Sequence, residues 1–182
     1  MTSEPATGAD RSVGTKTHAA QNYRVHGMSR PGGHGKIRCN TTDIKADTGS
    51  ISDEFRPGPA ELLCAALAAC LLKNVERYSE ILPFRCEQAS VVVEAERRDA
   101  PPTMTRMHYT LELVTDEPPH RVELLHRNVR KFGTVTNTLA AALDLTGEVV
   151  ARNHHEEPER HDQSAPTDTI PGDASIPPPR SE

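Results

Sequence analysis

The stretch RPGPAELLCAALAACLLKNVERYS, residues 56–79, decides the fold of this chain. Within it, residues 62–72 are eleven successive apolar residues, mostly alanine and leucine, the residue types with the lowest conformational cost in a helix. Pro59 suits the first helical position, Glu61 suits the positive end of the helix dipole, and Pro83 breaks the chain beyond the far end. The pattern therefore predicts a helix.

This helix is predicted to be buried in protein. Eleven residues rise only ~16 Å in a helix, against the ~30 Å of a bilayer core, so residues 62–72 are too short to span a membrane. A helix that is apolar on every side needs cover on every side. One small sheet cannot supply that cover, and we therefore expect a tight homodimer.

The 182 residues predict one domain with two tails. Residues 1–21 are polar, without a periodic apolar pattern, and residues 153–182 are rich in proline and acidic residues. Both tails are expected to be disordered, because they hold too little apolar surface to offset the entropy of ordering. The domain is predicted to cover residues 22–152. No apolar signal segment follows the first methionine, so we expect a cytoplasmic protein.

Charge and cysteine spacing exclude several classes of function. The seven acidic residues and two arginines of the C-terminal tail account for the net charge of -5, so the charges of the remaining chain cancel. A neutral body offers no basic face for nucleic acid and no polybasic patch for a membrane. The four cysteines show no CxxC or CxxH spacing, and the sequence predicts neither a metal site nor a cofactor.

Strand patterns flank the central helix. Residues 23–27 and 36–46 are partly alternating stretches on either side of a turn-rich segment, and they predict a hairpin. Residues 86–97 and 106–113 predict two strands joined by the turn at 99–103. The second of these strands has one apolar face, which we expect to cover the central helix: Met107, Tyr109, Leu111 and Leu113.

Two more helices and a strand complete the pattern. After Pro118 and Pro119, an amphipathic helix is predicted by apolar residues at spacings of three and four, namely Val122, Leu125, Val129 and Phe132, and it ends at Gly133. Residues 134–143 predict a third, short helix, and residues 147–151 a last strand. The order ββαββααβ lacks a βαβ repeat, so it indicates an α+β domain in which antiparallel sheet wraps buried helices.

Three stretches together resemble the OsmC/Ohr family of thiol peroxidases: PAELLCAALAAC at 59–70, the paired strands around the Pro-Pro turn, and KFGTVTNTLAAAL at 131–143. The resemblance covers about residues 22–152. It implies an intertwined homodimer with the long helices at its centre and the sheets outside. Active members reduce organic hydroperoxides with two cysteines, and Cys70 matches the cysteine that is attacked by peroxide.

The chain departs from the family pattern at two positions. The family's second cysteine stands in a Tyr-Cys-Pro-Val run, and Gly133 occupies its place here. The family's internal disulfide therefore cannot form. Peroxidases of the family also have Pro-Glu-Glu-Leu where this chain has Pro-Ala-Glu-Leu, so Ala60 replaces the acid that pairs with the active-site arginine.

The candidate site residues are Cys70, Arg38 and Glu61. Peroxide is attacked by a thiolate, and a thiol in apolar surroundings needs a cation or a helix N-terminus to favour that form. The family takes an arginine from the N-terminal strands. Arg24, Arg30 and Arg38 are available, and we choose Arg38 because its stretch is the most strand-like. Glu61 is the remaining acid, although nine helical residues place it about 180° from Cys70.

The other cysteines are predicted to be structural. Cys64 precedes Cys70 by six residues, which rise ~9 Å in a helix, whereas bridged cysteines have Cα atoms at most ~7 Å apart. Cys39 and Cys86 lie on or beside strands and could resolve an oxidised Cys70 only where the fold brings them near it. Otherwise a small cellular thiol must do so.

Two functions stay open at this point. The first is a one-cysteine hydroperoxide reductase, in which Cys70 becomes a sulfenic acid and an external thiol regenerates it. The second is a non-catalytic homodimer that binds a small apolar ligand or a partner protein in the family's apolar cavity. In the second case, Cys70 is a buried structural cysteine.

Overall fold

The computed structural model describes residues 20–153, and the element order over this range is βββαββααβ. The elements are β1 (Val25–Met28), β2 (His34–Cys39), β3 (Thr42–Asp47), α1 (Pro59–Ile81), β4 (Gln88–Asp99), β5 (Pro102–Val114), α2 (Pro119–Lys131), α3 (Thr134–Ala140) and β6 (Asp144–Arg152). The predicted α+β class is confirmed. The predicted tails lie outside the described residues, apart from residues 20, 21 and 153.

The central helix α1 begins where the sequence predicts. Gly58 is its N-cap and Pro59 its first residue, with Glu61 in the first turn. The helix continues to Ile81, slightly past the predicted stretch, and its last turn closes with a bond of 2.9 Å from the Leu82 amide to the Tyr78 carbonyl. Among the helices of residues 20–153, none is both long enough and apolar enough to cross a membrane.

The first sheet has the order β1-β2-β3, with both pairs antiparallel. The prediction of one strand over residues 36–46 is wrong, because the chain reverses between β2 and β3. Asn40 makes that reversal with a φ of 54°, a left-handed conformation that asparagine tolerates better than most residues. Alternation of apolar and polar residues on both sides of Asn40 conceals the turn.

The second sheet has the order β4-β5-β6. β4 and β5 are antiparallel, as predicted, but β6 lies parallel to β5. The expectation of a purely antiparallel sheet is therefore wrong for this pair. The physical reason is the connection: α2 and α3 carry the chain from the end of β5 back to its beginning, as a parallel pairing requires.

The core lies between the second sheet and the helices. The four predicted inward residues of β5 are fully buried, and they pack in one cluster with residues of α1 and α2: Leu67, Leu71, Met107, Tyr109, Leu111, Leu113, Leu125 and Val129. Phe132 differs from its prediction as a core residue of α2, because it is 46% exposed. It stacks instead on Tyr78, with ring centroids 5.5 Å apart.

One side of α1 is left uncovered by residues 20–153. Leu67 and Leu71 are buried against the sheet, whereas the opposite side of the helix is exposed. Its apolar residues are Ala65, Ala66 and Ala69, and beside them lies Leu72, which is 36% exposed. The single chain therefore supplies only part of the cover that an all-apolar helix requires.

Candidate functional site

Cys70 lies on the wall of a cavity of about 800 Å³ between α1 and the turn that joins α2 to α3. Part of the wall is apolar and consists of Ala66, Ala69, Phe132 and Val135. Among the described residues, the charged side chains of the wall come from α1: Lys73, Glu76, Arg77 and Glu80. Gln21 and Tyr23 of the N-terminal segment complete it. The thiol is partly exposed, so a small molecule in the cavity can reach it.

The side chain of Asn74 touches the sulfur of Cys70. Asn74 follows Cys70 by one helical turn, and its Nδ2 lies 4.0 Å from Cys70 Sγ. The same nitrogen donates to the backbone carbonyl of Val129 at 3.3 Å. That carbonyl belongs to the last turn of α2, where carbonyls have no partner within the helix. Asn74 is only 7% exposed, and it joins the thiol, α1 and α2 through one buried amide.

A second polar contact to the sulfur comes from α3. The hydroxyl Oγ1 of Thr136 lies 4.0 Å from Cys70 Sγ, and Thr136 is 3% exposed. Cys70 thus has two buried polar neighbours from different helices. Both side chains can donate a hydrogen bond, and sulfur accepts one weakly as a thiol and more strongly as a thiolate.

Gly133 borders the same cluster. A Cβ on residue 133 would lie 2.5 Å from Oγ1 of Thr136 and 3.0 Å from Nδ2 of Asn74. Position 133, where the family pattern has its second cysteine, therefore faces the two side chains that contact Cys70 Sγ. The space that a second thiol needs is occupied by an amide and a hydroxyl.

Lys73, Asn74, Arg77 and Thr136 were not predicted as site residues. The three residues on α1 follow Cys70 at spacings of three, four and seven, which place them on the same side of the helix. That spacing could have identified them. The contact from Thr136 depends on how α3 packs against α1, and the sequence gives no signal for it.

The structure brings neither Arg38 nor Glu61 to Cys70 within one chain. Among the described residues, the wall of the cavity includes neither of them. Arg38 lies on β2, where its Nε donates to Oδ1 of Asp43 at 2.8 Å. The hydrogen bond from Arg38 is the main cause that lowers the pKa of Asp43 to about 2. Roles for Arg38 and Glu61 at Cys70 stay predictions.

The remaining thiols of the described residues are free, and none of them lines the cavity. Burial raises the pKa of the Cys64 thiol, with a further contribution from Glu61. Burial also raises the pKa of Cys86, whose Sγ donates to the carbonyl of Gln88 at 3.2 Å. Raised pKa values make both thiols poor nucleophiles at neutral pH. The site therefore has a single accessible thiol and no partner thiol within the described chain.

Comparisons with known proteins agree on one fold. A family model described as OsmC-like protein matches residues 51–148. An OsmC-like protein from Mycoplasma pneumoniae superposes with a TM-score of 0.67 at 16% identity, over 72% of this chain and 97% of that one. No curated protein sequence matches the chain significantly.

Two further solved structures have names that mention hydroperoxides. The organic hydroperoxide resistance protein OhrB of Bacillus subtilis superposes with a TM-score of 0.51 at 16% identity, over 71% of this chain and 98% of that one. An organic hydroperoxide resistance protein OsmC from Legionella pneumophila gives a TM-score of 0.54 at 16% identity, over 72% and 98% of the two chains. At these identities the structures show a shared fold.

Proposed function

The chain belongs to the family of OsmC-like proteins, and from this membership we propose that it reduces organic hydroperoxides through Cys70 with an external thiol as reductant. The observation that carries the proposal is the position of the thiol. Cys70 is the one cysteine of the described chain that lines the cavity of about 800 Å³, whose wall has both apolar and charged side chains. An organic hydroperoxide has the same two parts, an apolar body and a polar reactive end.

The proposed reaction has three steps. The thiolate of Cys70 attacks the outer oxygen of the hydroperoxide, the O–O bond breaks, and the alkoxide takes a proton to leave as an alcohol. Cys70 is then a sulfenic acid. An external thiol attacks its sulfur and releases water, which gives a mixed disulfide, and a second thiol releases reduced Cys70 and an external disulfide. Such a reaction serves defence against oxidative stress, the theme of the hydroperoxide resistance proteins of this fold.

The proposed working form is a homodimer. One side of α1 is exposed at Ala65, Ala66 and Ala69, and Leu72 lies at its margin. A second copy of the same helix covers part of this surface by two-fold symmetry, because the same patch then meets itself. Since Ala66 and Ala69 also line the Cys70 cavity, the partner then borders that cavity. No nucleic acid or membrane partner belongs to the proposal.

A non-catalytic role is the second candidate. Gly133 and Ala60 stand where the family pattern has a resolving cysteine and an acid. The space next to Gly133 is also filled, by Thr136 and Asn74. These features favour a homodimer that binds a small apolar ligand or a partner protein in the cavity and in which Cys70 is a structural residue.

Site-specific oxidation separates the two candidates. We expect a limiting amount of cumene hydroperoxide, followed by a sulfenic-acid trap, to label Cys70 before the other three cysteines in peptide maps. Cys70→Ser should abolish this labelling, whereas the matched variant Cys64→Ser on the same helix should retain it. Excess small dithiol should then sustain turnover without a disulfide between Cys64 and Cys70. A Cys70 that stays unmodified, or reacts no faster than the other cysteines, contradicts the enzymatic proposal.

A further inference from the structure

We propose that Asn74 and Thr136 bind the anionic sulfur of Cys70 and, by filling the position of a second thiol, make its sulfenic acid persist until an external thiol arrives. The inference deepens the proposed function and rests on it for the sulfenic acid. The binding of the thiolate does not depend on peroxidase activity. The two parts can therefore be tested separately.

The first step of the argument is the hydrogen-bond inventory of Asn74. Its amide nitrogen has two hydrogens. One is directed to the carbonyl of Val129 at 3.3 Å, and the other has Cys70 Sγ at 4.0 Å as its acceptor. Because Asn74 is only 7% exposed, water does not replace either of its hydrogen-bond partners. The amide is held by α2 in the orientation that directs a donor to the sulfur.

The second step concerns Thr136. Its hydroxyl is buried, and within residues 20–153 the described contact of Oγ1 is Cys70 Sγ. A buried hydroxyl needs a partner, and the hydroxyl hydrogen can rotate toward the sulfur. A hydrogen bond to a charged acceptor is shorter and about twice as strong as one between neutral groups. The loose contact of the neutral thiol therefore tightens when the sulfur becomes a thiolate or sulfenate.

The charged groups around the cavity do not replace these donors. Lys73, Glu76, Arg77 and Glu80 all belong to α1, and each is exposed. Tyr23 is the titratable group of the N-terminal segment on the wall, and α3 contributes no charged side chain to it. The charges have both signs and are screened by salt, whereas a buried hydrogen bond is not. The stabilisation of the sulfur anion therefore depends mainly on Asn74 and Thr136.

The third step is the exclusion of an internal thiol. A Cβ on residue 133 would overlap Thr136 and crowd Asn74, so the two donors occupy the room in which a second cysteine would approach Cys70. Cys39, Cys64 and Cys86 lie off the cavity wall. A sulfenic acid at Cys70 thus has two hydrogen-bond donors and no neighbouring thiol within the described chain. It persists until a small thiol enters the cavity.

Two variants of Thr136 test the binding of the thiolate. Thr136→Val keeps the shape but removes the hydroxyl, and Thr136→Ser keeps the hydroxyl. The measurement is the rate of Cys70 alkylation by iodoacetamide against pH, read by peptide mapping with Cys86 as internal reference. We expect Thr136→Val to slow alkylation about tenfold near neutral pH. Thr136→Ser should stay within about twofold of the parent protein. Equal profiles for parent and Thr136→Val overturn the inference, and so do equal changes in both variants.

The lifetime of the sulfenic acid is the second measurement. After a limiting amount of cumene hydroperoxide, a fixed low concentration of small thiol is added, which converts the sulfenic acid to a mixed disulfide and water. The trap follows at increasing delays, and Cys70 labelling is measured in the parent protein, in Thr136→Val and in Asn74→Leu. We expect labelling to decay at least several-fold faster in both variants. Circular dichroism checks that Asn74→Leu is folded. If Asn74→Leu is unfolded, the test rests on Thr136→Val alone. A decay that is unchanged in Thr136→Val overturns the persistence. If the parent protein forms no sulfenic acid, the proposed function is overturned. If Thr136→Val still slows alkylation in that case, the binding of the thiolate by Thr136 is supported.

Discussion

The ring of Tyr109 lies over the backbone of Gly147 so closely that a Cβ on residue 147 would overlap it. The two residues are partners in the parallel pairing of β5 and β6. Tyr109 is fully buried, and its hydroxyl is held by Nε2 of His126 at 2.8 Å. The ring therefore cannot move aside without the loss of this hydrogen bond.

Gly147→Ala should destabilise the protein for this reason. Overpacking against a fixed aromatic ring costs ~1–3 kcal/mol or more, and the urea midpoint should fall accordingly. The control is Gly27→Ala on β1, where an added Cβ meets no atom within 4 Å and the free energy of unfolding should change little. Equal effects of the two substitutions would contradict the packing argument.

The burial of His126 beside Tyr109 predicts a loss of stability in mild acid. Burial is the main cause that lowers the pKa of His126 below its ordinary 6.5, and Arg130 adds to it. Burial raises the pKa of Tyr109 to about 12, so its hydroxyl stays protonated. Because folding favours the neutral imidazole, the unfolded chain binds the proton more readily. The contribution of neutral His126 to the free energy of unfolding is therefore complete above pH 6.5 and is lost as the pH falls.

Urea unfolding at several pH values between about 8 and 5 measures this dependence. We expect the fall in the free energy of unfolding below the ordinary histidine pKa to be smaller in His126→Gln. His120→Gln is the matched control, because His120 is an exposed histidine on the same helix. The prediction is contradicted if the pH dependence of the free energy of unfolding survives in His126→Gln but disappears in His120→Gln.

The sequence predicted those elements whose pattern has one period from end to end. α1 contains an unbroken apolar run over residues 62–72, β5 alternates strictly over residues 106–113, and α2 repeats apolar residues at spacings of three and four. The turn at Asn40 was missed because the strands on both sides of it alternate alike. The parallel pairing of β6 was missed because strand direction depends on the path of α2 and α3, which no local pattern contains.

The residues of the site likewise include some that the sequence could predict and one that it could not. Cys70 was found from a motif, and Lys73 and Asn74 could have been found from the period of α1. Thr136 could not, since its contact with Cys70 joins residues 66 positions apart in the chain. Such a contact follows from the packing of α3 on α1, and packing is decided by the whole core.

The crowding at Gly133 predicts that a cysteine there does not restore the missing disulfide. We expect Gly133→Cys to be destabilised by ~1–3 kcal/mol, because the new Cβ would lie 2.5 Å from Oγ1 of Thr136. After limiting peroxide, intact mass under non-reducing conditions should show no internal disulfide at Cys70.

A double-mutant cycle isolates the cause of that crowding. Gly133→Ala alone should be destabilising, and Gly133→Ala with Thr136→Ala should be more stable than the sum of the two single changes predicts. Additive free energies of unfolding would show that the hydroxyl of Thr136 is not what excludes a side chain from position 133.

The exposed side of α1 predicts a dimer that a single charge weakens. Leu72 is 36% exposed in one chain and borders the alanines of that side. Leu72→Glu should raise the dissociation constant at least tenfold, because a buried carboxylate without a partner is costly. Leu124→Glu is the matched control, since Leu124 is 38% exposed but lies on α2. Light scattering after size-exclusion chromatography measures both. A folded parent protein that is monomeric at micromolar concentration contradicts the dimer.

The source of positive charge at Cys70 is the last prediction. Arg38 is the choice made from the family pattern, but within one chain it pairs with Asp43 at 2.8 Å. Lys73 lies one helical turn from Cys70 and lines its cavity. A neighbouring cation speeds the reaction of a thiol by attracting its thiolate form, though exposure and salt screening limit the gain. We expect Lys73→Met to slow alkylation of Cys70 about two- to threefold at low ionic strength and less at high salt.

Arg38→Met provides the comparison, and Lys45→Met, at an exposed position on β3, controls for loss of one positive charge. All three variants should be measured in the dimer, because a partner copy can bring its own first sheet to the cavity. A fall in rate with Arg38→Met that exceeds the fall with Lys73→Met supports Arg38, and since Arg38 does not line the cavity of its own chain, it also shows that the site is completed across the interface. Equal rates for Lys73→Met and Lys45→Met would contradict a role for Lys73.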